Sequence, residues 1–163
     1  MASGFRHDQV TWVWSLPIGA IIAVALGPAN GLMAATGCLV GGLWLSPDLD
    51  THSNALRRWG PLGWIWWPYR RCIPHRSLWS HGPFIGTALR LGVLVTWCSA
   101  ISLLVPFHPP IAWLSTLDAL FRDHPRTMSS LLVGIEASAW LHLILDGDPW
   151  PVEWSLRRKR RRR

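Results

Sequence analysis

The histidines and aspartates of this sequence fall in short groups separated by long apolar runs. His7 and Asp8 stand near the start, and Asp48, Asp50 and His52 share Ser46-Pro47-Asp48-Leu49-Asp50-Thr51-His52. His75 and His81 bracket Arg76-Ser77-Leu78-Trp79-Ser80, and His142 and Asp146 bracket Leu143-Ile144-Leu145, with Asp148 just beyond. Imidazole and carboxylate are the ligands of Zn, Mn and Fe(II). Cys38, Cys72 and Cys98 have no ligand spacing, which argues against a thiolate site and implies no disulfide framework. His142 and Asp146 are i, i+4 and project from one face of a helix. Asp48 and Asp50, two apart after a proline, point the same way if that stretch is extended.

The elements that must position these groups are membrane spans. No Asp, Glu, Lys or Arg occurs in the 39 residues from Gln9 to Pro47, nor between Leu91 and Leu117. A soluble domain of 163 residues has no interior large enough to hide two such runs. A helix of roughly 20 apolar residues crosses the hydrocarbon. The pattern predicts an all-α membrane bundle of about four transmembrane helices, at residues 10–26, 32–45, 85–105 and 128–145. Gly27-Pro28-Ala29-Asn30-Gly31 supplies the first turn. In the second span, Gly37-x-x-x-Gly41 and Cys38-x-x-x-Gly42 permit a close helix neighbour, although a Gly-rich helix produces such spacing by chance as well. The polar, Trp-rich segment 46–83 between the second and third spans has room for one or two short amphipathic helices. Residues 1–156 read as a single integral-membrane domain and 157–163 as a basic tail.

Four spans put both termini on one side. Arg6, the five arginines Arg57, Arg58, Arg70, Arg71 and Arg76, and the seven-residue tail give that side thirteen basic residues. The other side has Arg122 and Arg126. The positive-inside rule makes the basic side cytoplasmic, so the chain is expected in the bacterial inner membrane with both termini inside. Trp12, Trp14, Trp44, Trp59, Trp64, Trp66, Trp67, Trp79, Trp150 and Trp154 then lie near the cytoplasmic interface, where indole is well served. The formal net charge of +7 and the tail point to anionic headgroups as partners, in preference to nucleic acid.

On this topology five of the seven histidines and most of the aspartates meet at the cytoplasmic helix ends. Singly, each has an ordinary alternative. Asp48 or Asp50 caps a helix after Pro47, Asp146 ends one before Gly147, and a lone interfacial histidine is usually hydrogen-bonded. As a group they would repel without a cation, and charged groups at the membrane tend to be functional. His52 and Asp8 are the marginal members. Arg76, beside His75, suits a phosphate or carboxylate of a substrate as a bidentate fork, and serves equally as a topology-setting arginine. Glu136 lies about ten residues from Asp146 and is left outside the site, with pairing to Arg90 or protonation both open.

The early Ser3-Gly4 with His7-Asp8, the Ser46-Pro47-Asp48-Leu49-Asp50-x-His52-Ser53 segment, Arg58-Trp59-Gly60-Pro61-Leu62, His75-Arg76-Ser77-x-x-Ser80-His81-Gly82-Pro83 and the late His142-x-x-x-Asp146 carry a resemblance along nearly the whole chain. The chain resembles a family of small bacterial multi-pass membrane proteins described as metal-binding. More distantly it looks like the YdjM-type membrane-bound, metal-dependent hydrolases, although Asp48-x-Asp50 departs from that group's acidic pair. The resemblance implies metal ligation by His7, Asp48, Asp50, His75, His81, His142 and Asp146.

These readings lead to a metal-dependent hydrolase at the cytoplasmic membrane face, with one or two divalent ions (Zn, Mn or Fe) and an amphiphilic ester or amide as substrate. The alternative is a non-catalytic membrane protein in which a metal or hydrogen-bond network pins the helix ends.

Overall fold

The structure is a computed structural model that describes residues 3–104 and 112–147. The tail 157–163, Val105, Asp148, Trp150 and Trp154 lie outside the described residues. Those described form helices and turns, without a strand among them. The order is α1 (Gly4–Leu26), α2 (Pro28–Leu43), α3 (Asn54–Arg58), α4 (Trp67–Cys72), α5 (Leu78–His81), α6 (Ile85–Ser102), α7 (Ala112–Asp123) and α8 (Pro125–Leu145). Two 3-10 turns, Pro47–Asp50 and Gly60–Trp66, interrupt the middle segment.

Four stretches are long and apolar enough to cross a membrane: Gly4–Leu26, Pro28–Asp50, Ile85–Ser102 and Pro125–Leu145. These match the four expected spans, with differences at their ends. The first helix begins at Gly4, because Ser3 caps it by accepting from the Arg6 N–H, so His7 and Asp8 are helical. Gly27 alone breaks the chain, at φ +93°, and Pro28 is the first residue of α2, where its missing N–H costs nothing. The third helix stops at Ser102.

The two central interfaces of the bundle rest on small residues. A methyl group on Gly37 would stand 2.2 Å from the Leu131 carbonyl oxygen of α8, and one on Gly134 would stand 2.0 Å from the Ala34 carbonyl oxygen. Against α1, Gly42 faces Thr11 and Gly31 faces Ala23. The Gly37-x-x-x-Gly41 spacing is therefore a packing surface for α8, while Gly42 meets α1 on the other side. Around this core the polarity is inverted. α1 buries His7, Thr11, Ser15 and Gly19, and exposes Val13, Leu16, Ile21 and Val24. α8 buries Ser130, Ser138 and His142 together with Ile135, Ala139 and Leu143, while Leu132, Val133 and Ile144 face out.

The 46–83 segment forms three short α-helices and two 3-10 turns rather than one or two helices. They close over a core of Leu45, Leu49, Ala55, Leu56, Ile65, Trp66 and Tyr69, against which Leu89, Val93 and Trp97 of α6 pack. Trp66 is fully buried there, unlike the exposed Trp64, Trp67 and Trp79, so it is a core residue rather than part of an interfacial belt. Trp97 fixes α6 to this unit by donating to the Ile65 carbonyl at 2.9 Å. The amphipathic α7 has no counterpart in the sequence reading; its polar residues Ser115, Thr116, Asp118 and Arg122 interrupt the apolar run only locally.

Candidate metal centre

The seven expected ligands come from four places in the chain and meet at one end of the bundle. The second turn of α1 supplies His7, the last turn of α8 supplies His142, and Asp146 is the C-cap of that helix. The turn after α2 supplies Asp48 and Asp50, and the segment before α6 supplies His75 and His81. Two triads result, His7–Asp48–His142 and Asp50–His75–His81, each with potential ligand atoms lying within 4.8 Å of one another.

The two aspartates serve different triads for a geometric reason. Ser46 caps the 3-10 turn, its hydroxyl accepting from the Asp48 N–H at 3.4 Å. With about three residues per turn, side chains two apart point roughly 120° away from each other instead of the same way. The stretch is a 3-10 turn and not extended, so the two carboxylates do not share a direction. Asp48 Oδ1 faces His142 Nε2 at 3.4 Å and His81 Nε2 at 3.7 Å. Asp50 turns the other way, receiving His75 Nδ1 at 2.9 Å on Oδ1 and facing His81 Nδ1 at 3.5 Å with Oδ2. His81 lies between the triads.

Hydroxyls stand beside the two histidines that face Asp48. Ser80 donates its proton to the Pro74 carbonyl (3.2 Å), which leaves its oxygen to accept from His81 Nδ1–H at 2.9 Å. Ser46 Oγ, which accepts from the Asp48 N–H, stands 3.5 Å from His142 Nδ1. His81 Nε2 then presents a lone pair. Both Nε2 atoms are buried without a hydrogen-bond partner among the described residues, and both look at the same carboxylate oxygen. Three converging electron pairs are unfavourable without a cation. Two ligands about 2.0 Å from a tetrahedral ion lie about 3.3 Å apart, close to the separations found here. The residues therefore fit a divalent metal. Burial lowers the pKa of His81 below that of an ordinary imidazole, despite the opposing pull of Asp48 and Asp50, and this keeps it in the ligating form.

Asp146 is tied on both sides. Its Oδ1 lies 3.3 Å from His7 Nε2, its Oδ2 lies 3.8 Å from His142 Nε2, and Arg76 donates to Oδ2 at 2.7 Å. Arg76 has φ +60°, a conformation that a non-glycine residue rarely adopts, and its own N–H points to Asp50 at 3.4 Å. It thus spans the two triads, with its guanidinium engaged by a carboxylate of the cluster.

The marginal members lie apart. Asp8 accepts from both terminal nitrogens of Arg58, at 3.1 and 2.6 Å, and from Asn54. His52 is exposed. Glu136 accepts from the Phe84 N–H at 2.9 Å, at the start of α6, rather than from Arg90. Arg90 is fully buried and donates to the Ser80 carbonyl at 2.8 Å and to Thr87 Oγ1 at 3.0 Å. It holds the backbone of the residue that orients His81. The sequence points to Arg90 only as a possible partner of Glu136, and signals Ser46 and Ser80 only as a serine before Pro47 and one preceding His81.

Comparison with known proteins agrees with this chemistry. A 56-residue stretch is 43% identical to an uncharacterized protein of Aquifex aeolicus (strain VF5), covering 34% of this chain and 39% of that relative. The matched stretch thus spans well under half the length of the relative. No solved structure matches the chain. The family described as "Uncharacterized metal-binding protein (DUF2227)" matches residues 2–157, nearly the whole sequence. The chain belongs to this metal-binding family.

Proposed function

We propose that the protein is a multi-pass membrane protein of the bacterial plasma membrane, with both termini cytoplasmic, whose helix-end cluster is a hydrolytic metal site. The outward apolar faces of α1 and α8 support insertion in a bilayer: Val13, Leu16, Ile21, Val24, Leu132, Val133 and Ile144 are exposed, while Thr11, Ser15, Ser130 and Ser138 are buried. The thirteen basic residues on the side of the termini support the orientation, and the seven of them in the tail suit anionic headgroups.

The observation that carries the metal reading is the pair His81 Nε2 and His142 Nε2, both buried, unpartnered and turned to Asp48 Oδ1. His7, Asp48 and His142 would hold one ion, with His81 Nε2 facing the same carboxylate; a second ion, at Asp50 and His75, would take His81 through Nδ1 in the other tautomer. Asp146 would complete the first set. Zn, Mn and Fe(II) all suit such nitrogen and carboxylate donors. When bound, such an ion supplies Lewis-acid polarisation of an ester, amide or phosphoryl oxygen and activates water. The chain's own contribution is orientation. Ser80 fixes the His81 tautomer, Ser46 stands beside the His142 ring, Arg90 anchors Ser80, and Arg76 balances Asp146. A half-open cleft of about 220 Å³ reaches Asp48 and His7, so this end of the site is open to a substrate.

A non-catalytic reading draws on the Arg76–Asp146 pair, because an ion pair at 2.7 Å can pin the end of α8 without any reaction. Detergent-purified protein loaded with Zn, Mn or Fe(II) and offered chromogenic carboxyl and phosphate esters separates the two. Turnover that is abolished by chelator, restored by metal and missing in Asp48→Asn supports the hydrolase. Stoichiometric metal with no turnover above a detergent blank favours the structural site.

A further inference from the structure

The cleft beside Asp48 carries more than access. Its lining runs from buried His7 and half-buried Asp48 to exposed His52 and Arg57, with Thr51 and Asn54 between them. The carboxylates of this lining are committed: Asp8 is held by Arg58 and Asn54, and Asp48 faces the two histidines. His7 is paired with Asp146, but Arg57 and His52 are not committed. Arg57 donates to the neutral side chain of Asn54, and neither Arg57 nor His52 meets an acid among the described residues. A ligand that fits must offer several anionic oxygens to a guanidinium fork at one end and to a metal triad at the other.

We infer that this cleft binds the phosphoryl group of a phosphate ester, with Arg57 and His52 holding its outer oxygens and the His7–Asp48 end facing the inner ones. The inference deepens the hydrolase reading and rests on it. A carboxyl ester or neutral amide would leave the guanidinium without a charged partner. A phosphoryl group can belong to a lipid headgroup or to a soluble monoester. Phe5 and Trp12, exposed on the same helix as the lining residues Gly4, His7 and Asp8, give an acyl chain an apolar surface to follow.

The test is isothermal titration of detergent-purified, Zn-supplemented full-length protein with inorganic phosphate, with metal content measured on the same samples. The wild type is compared with an Arg57→Gln/His52→Gln double variant. The expected result is phosphate affinity that falls at least tenfold in the double variant while metal content stays unchanged, with Arg57→Lys intermediate. Equal affinity in wild type and double variant, or no phosphate binding by the wild type, overturns the inference. A wild type that holds no metal but still binds phosphate through Arg57 and His52 would instead sink the metal reading alone. A parallel titration with dihexanoyl phosphatidate assigns the source. Affinity at least tenfold above that of phosphate marks a lipid headgroup, and equal affinity marks a soluble monoester.

Discussion

The imidazole rings of His7 and His142 lie face to face, 3.9 Å between centroids and 19° between planes, although they come from opposite ends of the chain. This contact joins the start of α1 to the end of α8. Two stacked imidazolium ions would repel, whereas two neutral rings can stack and still direct nitrogens to a shared ion. His142→Ala should therefore reduce metal affinity by on the order of 100-fold or more. Ser80→Ala, which only frees a ligand to rotate, should cost about 10- to 100-fold. Competition against a chromophoric chelator reads both, and equal affinities in all three proteins would remove the ligand role of His142.

Metal retention should depend on pH in a defined direction. Burial lowers the pKa of His81, so the unfolded chain binds a proton there more readily than the folded one. The resulting stability is fully present above the ordinary imidazole value of about 6.5 and is lost as pH falls from there through the lowered folded value. Protonation also removes the ligand, so metal should dissociate over the same descent. Metal content after dialysis at a series of pH values checks this. Retention that rises on acidification would be the wrong sign.

Packing of the bundle makes a prediction independent of the metal. A Gly37→Ala methyl would meet the Leu131 carbonyl at 2.2 Å, while Gly92→Ala meets nothing within 4 Å. The first should destabilise by about 1–3 kcal/mol and the second should be neutral or slightly stabilising. Thermal unfolding in detergent compares them, and equal midpoints would mean that α2 and α8 do not pack this closely.

Orientation can be read with a cysteine already in the chain. Cys72, exposed at the end of α4, lies in the segment assigned to the cytoplasm, whereas Cys38 is buried and Cys98 lies within α6. A membrane-impermeant maleimide should label Cys72 in inverted vesicles and leave it unmodified in intact spheroplasts. The reverse pattern would place the metal cluster on the other face.

Much of this architecture is written in the sequence because it depends on sums over many residues. Uncharged runs reveal spans wherever the helix falls, and the four expected spans match four suitable helices. The convergence of His7, Asp48, His81 and His142 follows from topology alone, since helix ends on one side must be neighbours. What was not legible depends on single backbone angles. The 3-10 turn at Pro47–Asp50 sends Asp48 and Asp50 to different triads, and no periodicity announces it. Ser46 and Ser80 look like ordinary capping serines until the histidines beside them are located in space. Arg90 reads as a lone charge in an apolar helix, and only the fold brings the Ser80 carbonyl to it.

The measurement that bears most directly on the central claim is metal content by mass spectrometry on detergent-purified protein, wild type beside the His75→Ala/His81→Ala double variant. His81 faces both triads, with His75 at hydrogen-bond distance from Asp50. The account predicts one or two equivalents of Zn, Mn or Fe in the wild type and a loss of at least one in the variant, with both proteins folded by circular dichroism. Wild-type protein that holds no metal, prepared without chelator and after attempted reloading, would contradict it, and the cluster would then be a hydrogen-bond network joining helix ends.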